Sequence, residues 1–200
     1  MTETPNRNNG PDGPAGRSGA GADLGRIEIV FDAQEIESAV LSLGRRLRDE
    51  LAGDDPLLLS LLGGSVIFLA DLVRAYEDPV RYEFVDVGYT RAGGGESDLL
   101  AIHYPIPVDL AEQQVLVVKD VVSSGVTETY LAEQFRDRGA ASVRFVALID
   151  LPEERKTELD VDYHAFSLER SAPLVGYGLK HDGRYGNLPY VGRYLGDPGR

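Results

Sequence analysis

A short turn of hydroxyl and glycine residues, SSGVT, directly follows the apolar segment QVLVVKDVV. The turn consists of Ser123, Ser124, Gly125, Val126 and Thr127. Its hydroxyl groups can donate hydrogen bonds to an anion, and its glycine lets the backbone approach a ligand closely. It lies where a strand gives way to a helix, so free amide groups and the positive end of the helix dipole add to the attraction. The pattern predicts a phosphate-binding loop, although the same residue types also form plain helix caps.

Alternating strands and helices are expected to hold this turn in place. Apolar runs predict strands at 26–31, 56–65, 80–89, 99–105, 114–122 and 142–150. Helical spacing predicts helices after Asp32, at 65–76 and at 127–139. Asp32 and Glu35 have the spacing of a capping box.

This order predicts an α/β fold with a central, mainly parallel sheet flanked by helices. Ligands of such sheets bind beyond the carboxyl ends of the strands, which is where the turn falls. Residues 90–98 are polar and glycine-rich, which favours a mobile loop inside a long hairpin. The last segment, at about 162–195, is rich in turns and tyrosines and is expected to form a small hood over one end of the sheet.

Composition limits the classes of function. The 200 residues carry a formal net charge of −13, which disfavours nucleic-acid binding because Lys and Arg must displace counterions from phosphates. Cysteine is absent, which excludes disulfides, thiolate metal sites and cysteine nucleophiles. No apolar run approaches the ~20 residues of a membrane span. We expect a cytoplasmic protein with a disordered Gly- and Pro-rich tail at 1–24 and one domain at 25–196.

The segment VLVVKDVVSSGVTETYLAEQFRDRGAASVRFVALID resembles the signature of the hypoxanthine-guanine branch of the type I phosphoribosyltransferases. In that family a strand, two acids, two apolar residues and Asp-Thr-Gly-x-Thr hold the ribose 5-phosphate of phosphoribosyl pyrophosphate. LLGGSVIFLADLV resembles the pyrophosphate-side loop, FVDVGYT the start of the flexible catalytic loop, and the stretch from DYHAFSL to NLPYVG the purine-side hood. The resemblance covers nearly all of residues 26–193, identifies a divergent member of the family and implies the type I phosphoribosyltransferase fold.

The resemblance gives individual positions a role. Lys119 and Asp120 occupy the two ribose-binding positions, and the turn at 123–127 occupies the position of the 5′-phosphate. The pyrophosphate-side positions are Gly63, Gly64 and Tyr89. The base-side positions are Leu151, Pro173, Leu174, Lys180 and His181.

Many of these positions have lost the residue that the family's reaction uses. That reaction joins a purine to carbon 1 of the ribose and expels pyrophosphate, with magnesium on the pyrophosphate and a proton acceptor near purine N7. Here Lys119 replaces the first ribose-binding acid, Ser123 replaces the aspartate near N7, and Lys180 replaces the magnesium-binding aspartate. The other replacements are Gly63 and Leu151 for lysines, Gly88 for a serine, Pro173 for a stacking aromatic residue and Gly186 for an arginine.

The chain has only three lysines, at positions 119, 156 and 180, and two of them stand where the family has acids. Lysine is a compact point charge, so Lys119 and Lys180 can act as fixed cations that take the place of magnesium beside a phosphate-bearing ligand. A vacated site whose residues have drifted would give the same pattern.

These departures favour a pseudoenzyme candidate over a purine salvage enzyme. We expect it to bind a nucleotide or phosphoribosyl pyrophosphate while the usual chemistry is lost or strongly impaired. No catalytic residue, metal site or cofactor is assigned, and Mg²⁺ is expected only if the transferase chemistry is retained. The alternatives are an active phosphoribosyltransferase, for hypoxanthine and guanine or for an altered base, and a structural or partner-binding protein. The resemblance also implies a homodimer or homotetramer.

Overall fold

The computed structural model describes residues 26–91, 98–103, 107–169 and 173–196. The strands are β1 (Ile27–Phe31), β2 (Leu57–Leu61), β3 (Arg81–Arg91), β4 (Asp98–His103), β5 (Gln114–Val122), β6 (Ser142–Asp150), β7 (Tyr163–Ser167), β8 (Leu174–Val175) and β9 (Val191–Tyr194). The helices are α1 (Ala33–Glu50), α2 (Ser65–Ala75) and α3 (Val126–Asp137), and a 3-10 turn covers Pro152–Glu154. The predicted tail at 1–24 and the glycine-rich part of the predicted loop lie outside the described residues.

The main sheet has six strands in the order β4-β3-β2-β5-β6-β7. Five of them are parallel, while β4 runs antiparallel to β3 and completes the predicted hairpin. The predicted α/β fold with a mainly parallel central sheet is therefore confirmed. Because β2 and β5 are parallel neighbours, their carboxyl ends lie side by side at one edge of the sheet.

Alternate residues of β5 pack against opposite helical layers, as the two-residue repeat of a strand requires. Leu116 and Val118 join a core with α1 and α2, whereas Val115 and Val117 join a core on the α3 side. Burial on both faces explains why this strand is a continuous apolar run in the sequence. Within the described residues, no helix combines the length and the apolar character needed to cross a bilayer.

The predicted capping box starts α1. Asp32 Oδ1 accepts hydrogen bonds from the amides of Gln34 at 2.8 Å and Glu35 at 2.9 Å, and Glu35 Oε2 accepts one from the Asp32 amide at 2.8 Å. A cap of this kind stabilises a helix by about 1 kcal/mol. The apolar stripe that follows the cap is buried against the sheet, which fixes one wall of the fold.

A separate three-stranded sheet, in the order β1-β9-β8, forms the hood. β1, predicted as a strand at 26–31, does not join the parallel sheet but runs antiparallel to β9 with Ile27 opposite Tyr194. The Leu195 amide also donates to the Arg26 carbonyl at 2.9 Å. An alternating pattern predicts a strand but does not say which sheet it joins.

The start of the predicted hood segment belongs to the main sheet. β7 pairs parallel with β6, and Tyr163 is buried in the core that α1 and α2 share with the sheet. Phe166 of β7 stacks on Phe31 of β1 with ring centroids 3.9 Å apart, so the hood sheet packs directly against the edge of the main sheet.

Candidate functional site

The predicted ligand site opens at the carboxyl edge of the main sheet, between β2 and β5. A cavity of about 210 Å³ lies there, and its walls come from four separate segments of the chain. The lining residues are Leu61, Leu62, Gly64, Ser65, Val87, Lys119, Asp120 and Thr127. The structure therefore brings the two ribose-side positions, Lys119 and Asp120, together with Gly64 of the pyrophosphate side and Thr127 of the predicted phosphate loop.

The loop at 123–127 turns sharply at Gly125, whose φ of +77° lies in the left-handed region. Its carbonyl groups are bound within the protein: Ser123 O accepts from Arg155 Nη1 at 2.7 Å, and Gly125 O accepts from the amide and the hydroxyl of Thr129, each at 2.9 Å. The first amides of α3 are the groups that helix geometry leaves without intrahelical partners, at the positive end of the dipole. This arrangement can bind an anion such as a phosphate.

The segment after β6 supports the loop from behind. The Lys156 amide donates to Ser124 O at 2.9 Å, and Arg155 forms an ion pair with the buried carboxylate of Asp150. A Cβ atom on Gly125 would lie 2.8 Å from Arg155 Cδ. Position 125 therefore requires glycine for two reasons, which are its left-handed backbone angle and the close packing of Arg155 against it.

Lys119 lies in the cavity wall between two carboxylates. Its Nζ is 3.6 Å from Asp120 Oδ1 and 3.6 Å from Glu128 Oε1. Glu128, in the first turn of α3, is only 5 % exposed, whereas Lys119 and Asp120 are partly exposed toward the cavity. Asp120 Oδ1 also accepts a hydrogen bond from the Val121 amide at 2.9 Å, which fixes its side chain.

These contacts do not fit a magnesium site. Mg²⁺ needs carboxylate oxygens that are free to face it, and the ammonium of Lys119 stands beside the one ribose-side acid, Asp120. Within the described ranges, no group of three or more His, Asp or Glu side chains is placed to hold a metal ion. Ser123 is half-buried at the position of the family's proton acceptor and carries no carboxylate.

Two glycines make the close contacts between the cavity and the hood. A Cβ on Gly64 would lie 2.0 Å from Asp120 Oδ2, and a Cβ on Gly178 would lie 2.1 Å from the Gly64 carbonyl oxygen. Gly63 has a φ of +137°, which is another conformation that side chains rarely adopt. Neither glycine at 63 and 64 offers a charged side chain, so the pyrophosphate-side positions contribute backbone groups.

The base-side positions lie in different surroundings from one another. Leu151 is fully buried in the core, while Pro173 is exposed and Leu174 half-buried at the start of β8. Lys180 is exposed, and its Cγ would lie 2.9 Å from a Cβ on Gly186, so its stem passes over that glycine. None of these four positions lines the cavity that holds Lys119.

His181 and Tyr177 are two ring-bearing side chains of the hood segment. The ring of His181 lies 4.6 Å from that of Tyr194, and its Nε2 is 3.8 Å from Asp182 Oδ2. Tyr177 is buried, and its hydroxyl donates to Asp71 Oδ2 at 2.6 Å. Burial first, and the hydrogen bond to Asp71 second, raise the pKa of Tyr177 well above its usual value. The contacts of His181 lie within the hood, whereas the hydrogen bond of Tyr177 fastens the hood to α2, and neither residue lines the cavity that holds Lys119.

The remaining pyrophosphate-side position, Tyr89, lies in β3 opposite Leu100 of β4, next to Gly88 opposite Ala101. Its backbone is thus part of the hairpin that leads to residues 92–97, which lie outside the described part of the chain.

Sequence reasoning missed two charged residues that shape the site, Glu128 and Arg155. Glu128 follows Lys119 by nine residues across a turn, so only the packing of α3 on β5 brings the two charges together. Arg155 supports the loop through Ser123 O. The weak sequence signal for Glu128 is its place in the first turn of a helix, where an acid usually interacts favourably with the helix dipole. Its burial is visible only in the structure.

Comparison with known proteins agrees with this arrangement of sheet, loop and hood. Residues 27–183 match the family model described as a phosphoribosyl transferase domain. The parallel sheet and the loop after β5 thus define the class of protein, a phosphoribosyltransferase of the type I fold.

Individual relatives narrow the class. The hypoxanthine-guanine phosphoribosyltransferase of Streptococcus pneumoniae is 34% identical over 170 residues, which cover 85% of this chain and 93% of the relative. That of Bacillus subtilis is 33% identical over 168 residues, with 82% and 91% covered. The crystal structure of a hypoxanthine phosphoribosyltransferase from Staphylococcus aureus gives a TM-score of 0.77 at 25% identity and covers 85% of this chain and 92% of its own. This chain belongs to the hypoxanthine-guanine phosphoribosyltransferase family, as its motifs predict.

Proposed function

We propose that this chain binds a phosphate-bearing ribose ligand, either a nucleotide or phosphoribosyl pyrophosphate, at the loop 123–127, and that the purine transfer of its family is lost or strongly impaired. The observation that supports binding is the built loop, with Gly125 in the left-handed region and the loop carbonyls bound to Arg155, Lys156 and Thr129. Such a loop holds its amides in place before a phosphate arrives, which lowers the entropic cost of binding.

The impaired chemistry is inferred from the side chains that the reaction lacks. Ser123 cannot accept a proton as a carboxylate does, and Lys119 stands beside Asp120 where two acids would serve the ribose and magnesium. Losing one good charged contact costs about 1.5–3 kcal/mol, which is one to two decades in rate. Loss of two such contacts is therefore enough to lower turnover by roughly a hundredfold or more.

Binding is tested with ribose 5-phosphate in isothermal titration calorimetry, using substitutions of Val126. Val126 is 54% exposed at the first position of α3. Val126→Asp places a negative charge at the helix start, which suits the helix dipole but repels a phosphate. Val126→Asn is the matched control, because it is polar and similar in size but uncharged.

We expect Val126→Asp to weaken binding on the order of tenfold or more and Val126→Asn to change it little. Both variants should unfold at or above the temperature of the unchanged protein. If ribose 5-phosphate does not bind the unchanged protein, or binds both variants equally well, the loop is only a helix cap. That result would favour the alternative of a structural or partner-binding protein.

A second candidate function is an active phosphoribosyltransferase for hypoxanthine, guanine or an altered base. The retained Asp120 and phosphate loop and the 34% identity to the S. pneumoniae relative favour it. The test is pyrophosphate release from phosphoribosyl pyrophosphate with a panel of purine bases, with that relative as positive control. Our proposal expects turnover at least about a hundredfold below the control; comparable turnover with any base would overturn it.

A homo-oligomer remains a prediction from the family resemblance, and a cytoplasmic location remains a prediction from the composition of the sequence. Light scattering coupled to size-exclusion chromatography tests the first directly. A mass near the 21.8 kDa of one chain would exclude the predicted dimer and tetramer under those conditions.

A further inference from the structure

Lys119, Asp120 and Glu128 form a charged cluster in the wall of the cavity where the ligand is expected to bind. The ammonium of Lys119 lies in the cavity wall, with carboxylates on two sides at 3.6 Å. Its side chain is 16% exposed, compared with 6% for Glu128 and 23% for Asp120. The positive charge therefore stands between a buried acid and the open cavity.

Glu128 balances this charge from within the protein. It comes from the first turn of α3, behind the loop, and is itself buried. A buried ammonium is stable only when a counter-charge is near, and Glu128 supplies one from within the protein. Lys119 therefore needs neither a metal nor a ligand to be held in place.

The distances leave Lys119 able to contact a ligand. A direct hydrogen bond to a carboxylate spans about 2.7–3.2 Å, and both carboxylate contacts of Lys119 at 3.6 Å are longer. An ammonium has three donors and can turn one toward an oxygen in the cavity. A divalent cation in the same cavity would instead meet this positive charge at short range and be repelled.

We propose that the site binds its phosphorylated ribose ligand without a divalent cation, with Lys119 supplying the positive charge and Glu128 acting as the positioning residue that holds Lys119. This inference rests on the proposed function, since it concerns the same ligand and the same cavity. It also assigns a role to Glu128, which binds no ligand itself.

The first experiment compares binding of phosphoribosyl pyrophosphate in excess EDTA and in excess MgCl₂, by isothermal titration calorimetry, because the magnesium of the family's reaction sits on the pyrophosphate and ribose 5-phosphate has none. We expect the two dissociation constants to agree within about threefold. Binding that is seen only with MgCl₂ would overturn this inference while leaving the proposed function in place. Failure to bind under either condition would overturn both together, so the two outcomes are distinguishable.

The second experiment exchanges the two charges in the variant Lys119→Glu/Glu128→Lys. The ion pair is kept, but the positive charge moves from the cavity wall to the helix behind it. We expect binding in EDTA to weaken by at least about tenfold. A purely structural ion pair would predict no loss, so unchanged binding in this variant would overturn the role of Lys119.

Two further variants complete this experiment, one as a replacement and one as a control. If the exchanged pair does not fold, the uncharged pair Lys119→Met/Glu128→Gln takes its place, with the same expected loss of binding in EDTA. Arg136→Met is the control, because Arg136 is an exposed cation in the last turn of α3, at the opposite end of that helix from the loop. We expect this control to bind as the unchanged protein does. Both paired variants leave the net charge of the chain unchanged, so an equal loss in the control would show that binding depends on a basic side chain remote from Lys119 and would overturn the role assigned to Lys119.

Discussion

Replacing Lys119 by methionine should destabilise the folded protein. Methionine fills a similar volume but removes the ammonium from between Asp120 and Glu128. Glu128 is only 5% exposed and cannot recover its lost partner from water. The variant therefore keeps a buried carboxylate without its counter-charge.

The size of the effect follows from this loss. Leaving one charge of a buried pair unmatched costs about 3–5 kcal/mol. We therefore expect Lys119→Met to lower the free energy of unfolding by about 3–5 kcal/mol.

Urea unfolding followed by far-UV circular dichroism near neutral pH measures this loss. The double variant Lys119→Met/Glu128→Gln removes the orphaned charge and should recover at least about half of the loss. Lys156→Met, at an exposed lysine, should change the free energy of unfolding by less than about 0.5 kcal/mol. A loss in Lys119→Met no larger than that in Lys156→Met, or a double variant no more stable than the single one, would refute the buried-charge reasoning.

Three other perturbations probe the contacts that hold the site and the hood. In thermal unfolding, Gly178→Ala should lower the stability of the folded protein by roughly 2–5 kcal/mol, because the new Cβ meets a backbone oxygen at 2.1 Å and the φ of this position is +97°. Gly183→Ala is the control. Its φ is +72° but the space around it is open, so it should lower the stability by only about 1–2 kcal/mol. Arg155→Met orphans the buried carboxylate of Asp150, so urea unfolding should show a loss of about 3–5 kcal/mol, and no loss would mean that the ion pair is not needed. Tyr177→Phe should cost about 1 kcal/mol near pH 7 through its lost hydrogen bond. Because the folded state raises the pKa of this tyrosine, its contribution is complete below about pH 10 and falls at higher pH, so the variant should lose less stability than the unchanged protein between pH 9 and 11.

Local patterns in the sequence were enough to predict the elements of the fold. The spacing of Asp32 and Glu35 predicted the cap of α1, and it is present with both of its hydrogen bonds. The apolar run of β5 predicted a strand buried on both faces. These features depend on neighbours in the chain, which is why a single sequence reveals them.

Pairing between distant segments was harder to predict. β1 has the alternation of any half-exposed strand, and its partner β9 lies more than 150 residues further along the chain. Glu128 was overlooked for a related reason, since its contact with Lys119 depends on how closely α3 packs against β5. The family resemblance assigned Leu151 to the base side, but its full burial depends on the whole core, which a single sequence does not show.

The pairing of β1 with β9 has a consequence for how the chain is made and handled. The Leu195 amide donates a hydrogen bond to the Arg26 carbonyl, so the first and last described residues of the domain lie close together. Ribosomal synthesis delivers Ile27 more than 150 residues before its partner Tyr194, so the hood sheet cannot close until nearly all of the described residues have been translated. The same proximity makes the domain suited to circular permutation, with a short linker joining 196 to 26. A truncation that removes Val191–Tyr194 would, by contrast, release β1 at the opposite end of the sequence.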